Sequence, residues 1–191
     1  MSEHRVAADT LACVTEPLLR RLADYWLSRR AGRVMPARAD IDPLDIPWAL
    51  PHLYLVDCVS DAGPGADGGR WRYRYRVAGD EVEAVFRSHM GRSSARNTWL
   101  DDMLAPDTLK VVMDRWRPLP ESGRIVHMQG MIYKTIDRYA RGGRLLLPLA
   151  DAAGGPVTGF VGATACDWVA EVPTRAAADI TITYIPAAAL A

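Results

Sequence analysis

Apolar positions recur at two different periods along this chain, and the places where the period changes outline its elements. "TEPLLRRLADYWLSRRAG" and the residues before it repeat at helical spacing through Leu11, Val14, Leu18, Leu22 and Tyr25 or Trp26. Thr15 suits an N-cap, Pro17 the first turn and Gly32 the position past the end, so the spacing predicts a helix over roughly residues 15 to 30. "PHLYLVDCV" is short, β-branched and aromatic, as a strand requires. After the turn-rich "SDAGPGADGG", the run "RWRYRYRVAG" alternates: Trp71, Tyr73, Tyr75 and Val77 fall on one face, Arg70, Arg72, Arg74 and Arg76 on the other. These two strands form an antiparallel hairpin with one buried face and one basic face.

The period then returns to the helical one. Val82, Val85 and Phe86 mark a short helix before Gly91, and "APDTLKVVMDRWRPLP" a firmer one carrying Leu109, Val112, Met113 and Trp116, ended by Pro118. "RIVHMQGMIYKTI", "GRLLLPLAD" and "TGFVGATACDWV" read as three strands, with the Gly-rich breaks "DRYARGG" and "DAAGGP" as hairpin turns. Strands at both ends of a helical middle imply an α+β domain in which helices cover one face of an antiparallel sheet. The expected organisation is an N-terminal helical extension over 1–36, a domain over 37–168 and a C-terminal tail over 169–191, where "DITITYI" alternates well enough to add an edge strand.

Composition narrows the partners. The 191 residues suit one compact domain, and 23 basic residues against 23 acidic leave no global field to attract nucleic acid or an anionic membrane. No apolar run approaches the roughly 18 residues of a membrane helix and no leader is visible, so a soluble cytoplasmic protein is expected. Cys13, Cys58 and Cys166 are far apart, without ligand spacing, and are expected as reduced thiols.

The wording of the chain resembles the PAS-domain superfamily, through a bacterial family of small standalone PAS-like proteins. The residues that carry the resemblance are "DYWLSRRAGRVMPARADIDPLDIPWALPHLYLVD", "RWRYRYRVAGDEV" and "RYARGGRLLLPLADAAGGPVTGFVGA", covering about Leu18 to Cys166. The resemblance implies a five-stranded antiparallel sheet, a small-molecule pocket between its inner face and the helices, and a sensory or regulatory role. "HMGRSSARNTWLDDM", which would line that pocket, departs most from the family's pattern.

Candidate chemistry can then be weighed. In the segment that attracts attention first, Asp40, Asp42 and Asp45 crowd into "DIDPLDIP" among Pro43, Pro47 and Pro51. A calcium loop also needs its turn glycine and a distal Glu, and both are missing, so the acids read as helix-cap groups on a proline-stiffened connector. A flavin photosensor would need a reactive Cys in an "NCRFLQ"-like helix, and a haem sensor an axial His on "PDTLKVVMDRWRP", and neither is there; of the four histidines, His89 and His127 are conceivable haem ligands, but each sits alone. Haem and flavin are therefore disfavoured and no cofactor is assigned. Motifs of nucleophilic, phosphate-binding and zinc-dependent enzymes are absent, which leaves no catalytic residue to name.

A binding reading remains, with a small enzyme in the same cavity or a ligand-free adaptor as its rivals. Trp71, Tyr73, Tyr75, Met113 and Trp116 either line a cavity or fill a core, while His127, Gln129 and Tyr133 share one face of a strand and would be polar anchors were that face inward. Leu11, Val14, Leu18, Leu22, Tyr25 and Trp26 are the expected homodimer interface. No output segment is visible, so a signal is expected to pass by association with a second copy or a regulatory protein.

Overall fold

A computed structural model describes residues 3–62, 69–90, 94–134, 139–152, 154–169 and 179–190. Strands β1 (Glu3–Ala7), β2 (Leu53–Ser60), β3 (Trp71–Ala78), β4 (Arg124–Lys134), β5 (Tyr139–Ala150), β6 (Val157–Val169) and β7 (Ile180–Pro186) form one sheet. Helices α1 (Pro17–Ser28), α2 (Asp80–Met90), α3 (Pro106–Trp116) and α4 (Pro118–Ser122) pack on it. Among the described residues the sheet has seven strands in the order β1-β7-β4-β5-β6-β2-β3. The expected five-stranded antiparallel sheet is therefore widened, and it is mixed, because β1 pairs parallel to β7. The predicted edge strand is β7, but β1 and β4 flank it, so it lies inside the sheet.

Helices cover both faces rather than the one expected. The apolar run of β5 shows why: Leu145, Leu147 and Leu149 point into a cluster with Leu19, Leu22 and Trp26 of α1, whereas Leu146 points into a second cluster with Trp116 and Phe160. A strand buried on both sides has no polar alternation to display. Each such leucine contributes about 1.5–3 kcal/mol by leaving water. The indole N–H of Trp26 donates to the Pro148 carbonyl at 2.9 Å and pins α1 across the sheet. Pairing of β4 with β5 stops at Leu146, so the missing amide of Pro148 falls beyond that ladder. The Ala150 amide is taken up by the Pro36 carbonyl at 3.0 Å.

Glu16, not Thr15, caps α1, and it makes no side-chain hydrogen bond to the helix. Pro118 ends α3 as expected and also opens α4, which suits proline in a first turn. Within "DRYARGG", Tyr139 to Gly143 are not a turn, because β5 already runs through them, while Asp137 and Arg138 lie outside the described residues. At Gly143 a side chain would collide with Glu16 and Leu19, since a Cβ would lie 2.7 Å from the Glu16 carboxyl carbon and 2.8 Å from Leu19 Cδ1.

The proline-rich connector divides its residues by face. Ile41 and Ile46 plug the α1 side of the core. The acids turn outward to arginines: Asp40 meets Arg33 at 2.6 Å and Asp45 meets Arg29 at 2.6 Å. Asp42 accepts from the Leu44 amide at 2.9 Å, the predicted cap, and its backbone N–H donates to the Tyr25 hydroxyl at 3.1 Å. The Ala37 amide and the Arg33 guanidinium hold the Asp40 carboxyl below its ordinary value. Three carboxylates thus fasten the chain between α1 and β2.

Candidate functional site

The inner face of the sheet, beneath α2, α3 and α4, carries the chemistry. Its centre is full. Tyr54 stands 5.8 Å from Tyr75 and 6.3 Å from Phe160 between ring centroids, while Trp116 lies edge-on to Tyr73 at 5.3 Å and to Phe160 at 5.2 Å. Tyr75 and Trp116, two of the candidate ligand residues, therefore fill the core. Space survives at the two ends of this aromatic wall.

At one end, between β3 and the helices α3 and α4, a cavity of about 330 Å³ is lined by Gly69, Arg70, Trp71, Tyr73, Met113, Asp114, Arg117 and Glu121. This is within the size range of small-molecule sites, roughly 300–1,000 Å³. Trp71, Tyr73 and Met113, three of the candidate residues, meet here. Tyr73 is fully buried, yet its hydroxyl has no hydrogen-bond partner, and burial pushes its pKa well above the ordinary phenol value. Tyr73 lines the cavity together with Arg117 and Glu121. The indole N–H of Trp116 is likewise buried without a partner. Orphaned polar atoms of this kind are rare in folded proteins and cost about 1–3 kcal/mol each.

At the other end, beneath α2, a cavity of about 60 Å³ is lined by His52, Glu81, Val82, Val85, Tyr133, Thr164, Cys166 and Trp168. Tyr133 belongs here, apart from His127 and Gln129. A bulge between Met131 and Tyr133 inserts one residue into β4 and reverses the face of everything after it. The same device acts in β3, where the register shift opposite Leu55 and Val56 sends Val77 to the α1 face while Tyr73 and Tyr75 stay inside. The expected single face for Trp71, Tyr73, Tyr75 and Val77, and the shared face of His127, Gln129 and Tyr133, are both corrected by these bulges.

His127 and Gln129 lie on the α1 face. His127 is 1% exposed, with its Nε2 3.7 Å from a Glu16 carboxylate oxygen, and Gln129 donates to the other Glu16 oxygen at 3.4 Å. Burial lowers the His127 pKa, and the Glu16 carboxylate opposes that shift. His89, the other lone imidazole, has a side chain outside the described residues.

The proposed dimer residues are mostly committed elsewhere. Leu11, Val14, Leu22 and Trp26 are buried against the chain's own sheet and cannot also meet a second subunit; Leu18 and Tyr25 are half-buried beside them. An amphipathic stripe looks the same whether its cover is its own sheet or another copy.

The basic stripe of β3 is neutralised within the chain, although Arg76 stays exposed. Arg74 and Arg76 share Asp57 at 3.0 Å each, Arg72 meets Asp101 at 2.7 Å, and the guanidinium of Arg72 lies 4.2 Å from the Trp99 ring centre. Residues 97 and 98 pair with the edge of β3, the Asn97 amide donating to the Tyr75 carbonyl at 2.6 Å and the Tyr75 amide to the Thr98 carbonyl at 3.0 Å. Buried Glu83 on α2 ties this loop down, accepting from Ser94 Oγ at 2.8 Å and the Ala95 amide at 2.9 Å.

Arg144 is the residue that sequence reasoning missed. It is partly buried on the inner face, donates from Nε to the Thr164 hydroxyl at 3.1 Å, and its guanidinium lies 4.7 Å from the centre of the Tyr133 ring. Tyr133 in turn stacks on Trp168 at 6.2 Å. A charge inside "GRLLLPL", in register with Leu146 and Pro148 on an inward face, was the available signal.

One family model, described as PAS domain, matches residues 14–164. The match begins before α1 and ends in β6. No curated protein and no solved structure matches the chain.

Proposed function

Because this chain belongs to the PAS-domain family, we propose that it is a sensory or regulatory module that reports a small amphipathic molecule held in the cavity between β3, α3 and α4. Membership supports the regulatory role. The observation that carries the ligand is the buried Tyr73 hydroxyl, without a partner at the wall of a cavity of about 330 Å³. Trp71 and Met113 offer an apolar seat, while Arg70, Arg117, Asp114 and Glu121 offer both signs of charge around it. An apolar ring bearing both charges, such as an aromatic amino acid, satisfies all of these groups at once. Ordering of α3 and α4 around the ligand is the signal, passed on by association with a second copy or a regulatory partner. That association uses a surface other than the covered stripe of α1.

Among the described residues no nucleophile stands beside a general base, and the proposed role is binding. The test is thermal denaturation and native mass spectrometry with a panel of aromatic amino acids and their decarboxylated or deaminated analogues. The expected result is a saturable stabilisation and a 1:1 complex in the wild type, lost in a Met113→Trp variant that fills the cavity. No complex with any member of the panel, or equal binding by Met113→Trp, overturns the proposal.

A further inference from the structure

The sheet has two edges, and the chain treats them differently. Along the outer edge of β3, residues 97–99 close the ladder: Asn97 and Thr98 exchange backbone hydrogen bonds with Tyr75, and Trp99 bridges to Arg74. Along the outer edge of β1, no described residue pairs. The Ala8 amide donates to the Tyr184 carbonyl at 3.2 Å, so alternation turns the backbone groups of His4 and Val6 toward β7 as well. Those of Glu3, Arg5 and Ala7 point to the open side. An unpaired row of this kind is a template for another strand.

The charges at this edge say which strand it fits. Glu3 is held between Arg5 at 2.7 Å and Arg115 of α3 at 2.9 Å, and the Asp114 carboxylate adds to the charges around Arg5. Glu3 and Asp114 thus balance Arg5 and Arg115, and a second copy meets no net repulsion here. In an antiparallel pair of two β1 strands about a two-fold axis, the outward set stands opposite itself as hydrogen-bonded pairs. With His4 on the axis, Glu3 faces Arg5 of the second copy and Arg5 faces its Glu3. With Arg5 on the axis, Arg5 faces Arg5; with Val6 on the axis, Glu3 faces Asp9. Both of those registers set like charges directly opposite, which is destabilising.

We propose that the open edge of β1 is the surface through which this protein associates, and that its occupant is β1 of a second copy, antiparallel, with Glu3 set against Arg5. Because the β3 edge is closed, pairing stops at two copies and does not run on into a fibre. Strands this short make a small interface, so the dimer is a weak one, with a Kd on the order of micromolar. Arg115, which holds Glu3, lies on the same turn of α3 as Met113 and Asp114 of the first cavity, so interface and cavity share one helix end. The proposal names the surface of association that the proposed function needs, but it rests on the sheet alone and requires no ligand. Either can therefore fail without the other.

The experiment is sedimentation equilibrium of the full chain over a range of concentrations, with hydrogen exchange followed at single amides. The expected result is a concentration-dependent dimer in which the Glu3 and Arg5 amides exchange about tenfold more slowly than in dilute protein. Arg5→Glu, which leaves the Glu3–Arg115 pair in place, should weaken the dimer roughly thirtyfold, because two opposite-charge pairs become like-charge ones. Arg5→Lys keeps the charge and should stay within about threefold of the wild type. A monomer at every concentration, a dimer that Arg5→Glu leaves intact, or a dimer whose Glu3 and Arg5 amides exchange as fast as in dilute protein overturns the proposal.

Discussion

The two faces of this sheet solve the same problem of burial by opposite means. On the α1 face the cover is aliphatic and, outside the His127–Glu16 contact whose Nε2 and Oε2 atoms have no hydrogen-bond partner, the large polar groups are paired: the Trp26 indole finds the Pro148 carbonyl, and Arg30 donates to the carbonyls of Arg33 and Leu190. On the inner face the cover is aromatic, and the hydroxyl of Tyr73 and the indole of Trp116 have no partner. Rings pack at a few fixed angles and cannot fill the ends of a curved surface as leucines do, so space collects there. Orphaned donors beside that space are costly to the empty fold and useful to one that receives a ligand. One face holds the domain together; the other is where something can be received.

Trp26→Ala makes the largest expected break in this comparison. It removes the largest side chain between α1 and the sheet and orphans the Pro148 carbonyl, and it should cost about 3–5 kcal/mol in urea denaturation. A loss below about 1 kcal/mol would mean that the α1 face can collapse to fill the gap and is not the rigid one.

Much of this architecture is legible in the chain because burial imposes a period. The α1 helix, the tyrosine alternation of β3 and the proline-fixed connector all follow from spacing and capping residues. The bulges in β3 and β4 are not legible: an extra residue in one strand has no composition of its own, yet it moves Val77 and Tyr133 to the opposite face. β1 is also hidden, since a short, mostly exposed strand at a parallel edge has no apolar pattern to show. Of the candidate site, Trp71, Tyr73 and Met113 are recoverable from alternation and helical spacing. Tyr54 and Arg144 are not, because they sit in strands whose two faces are both buried and whose polar members look like interruptions.

The His127–Glu16 contact is the one place where the α1 face resembles the other, and it gives an intermediate effect that depends on pH. Cys13 and Thr183 are polar neighbours, Cys13 bonding to Thr183 and Thr183 pairing with His127 across the strands. The folded pKa of His127 lies below the ordinary value of 6.5 because burial disfavours the imidazolium more than Glu16 favours it. The unfolded chain then binds more protons, so stability is full above about pH 6.5 and falls as pH drops through that value toward the folded pKa. Urea denaturation at a series of pH values should show this fall in the wild type and a flatter profile in His127→Gln. A Glu16→Gln variant should steepen it, since the group that supports the charged imidazole is gone. Identical profiles in the wild type and His127→Gln would remove His127 as the source.

The smallest expected effect is the sharpest test of the contrast. Tyr73→Phe deletes a hydroxyl that is buried without a partner and leaves the ring against Trp116 and Phe160. On a face built for stability, removing a buried hydroxyl costs about 1 kcal/mol because its hydrogen bond goes with it. Here no bond is lost, so Tyr73→Phe should be neutral within about 0.5 kcal/mol or slightly stabilising, while retention of an aromatic amino acid should weaken. The two readouts move apart only if the hydroxyl serves a ligand. A clear loss of stability with unchanged binding would instead make Tyr73 an ordinary core residue, and the inner face no different in kind from the one beneath α1.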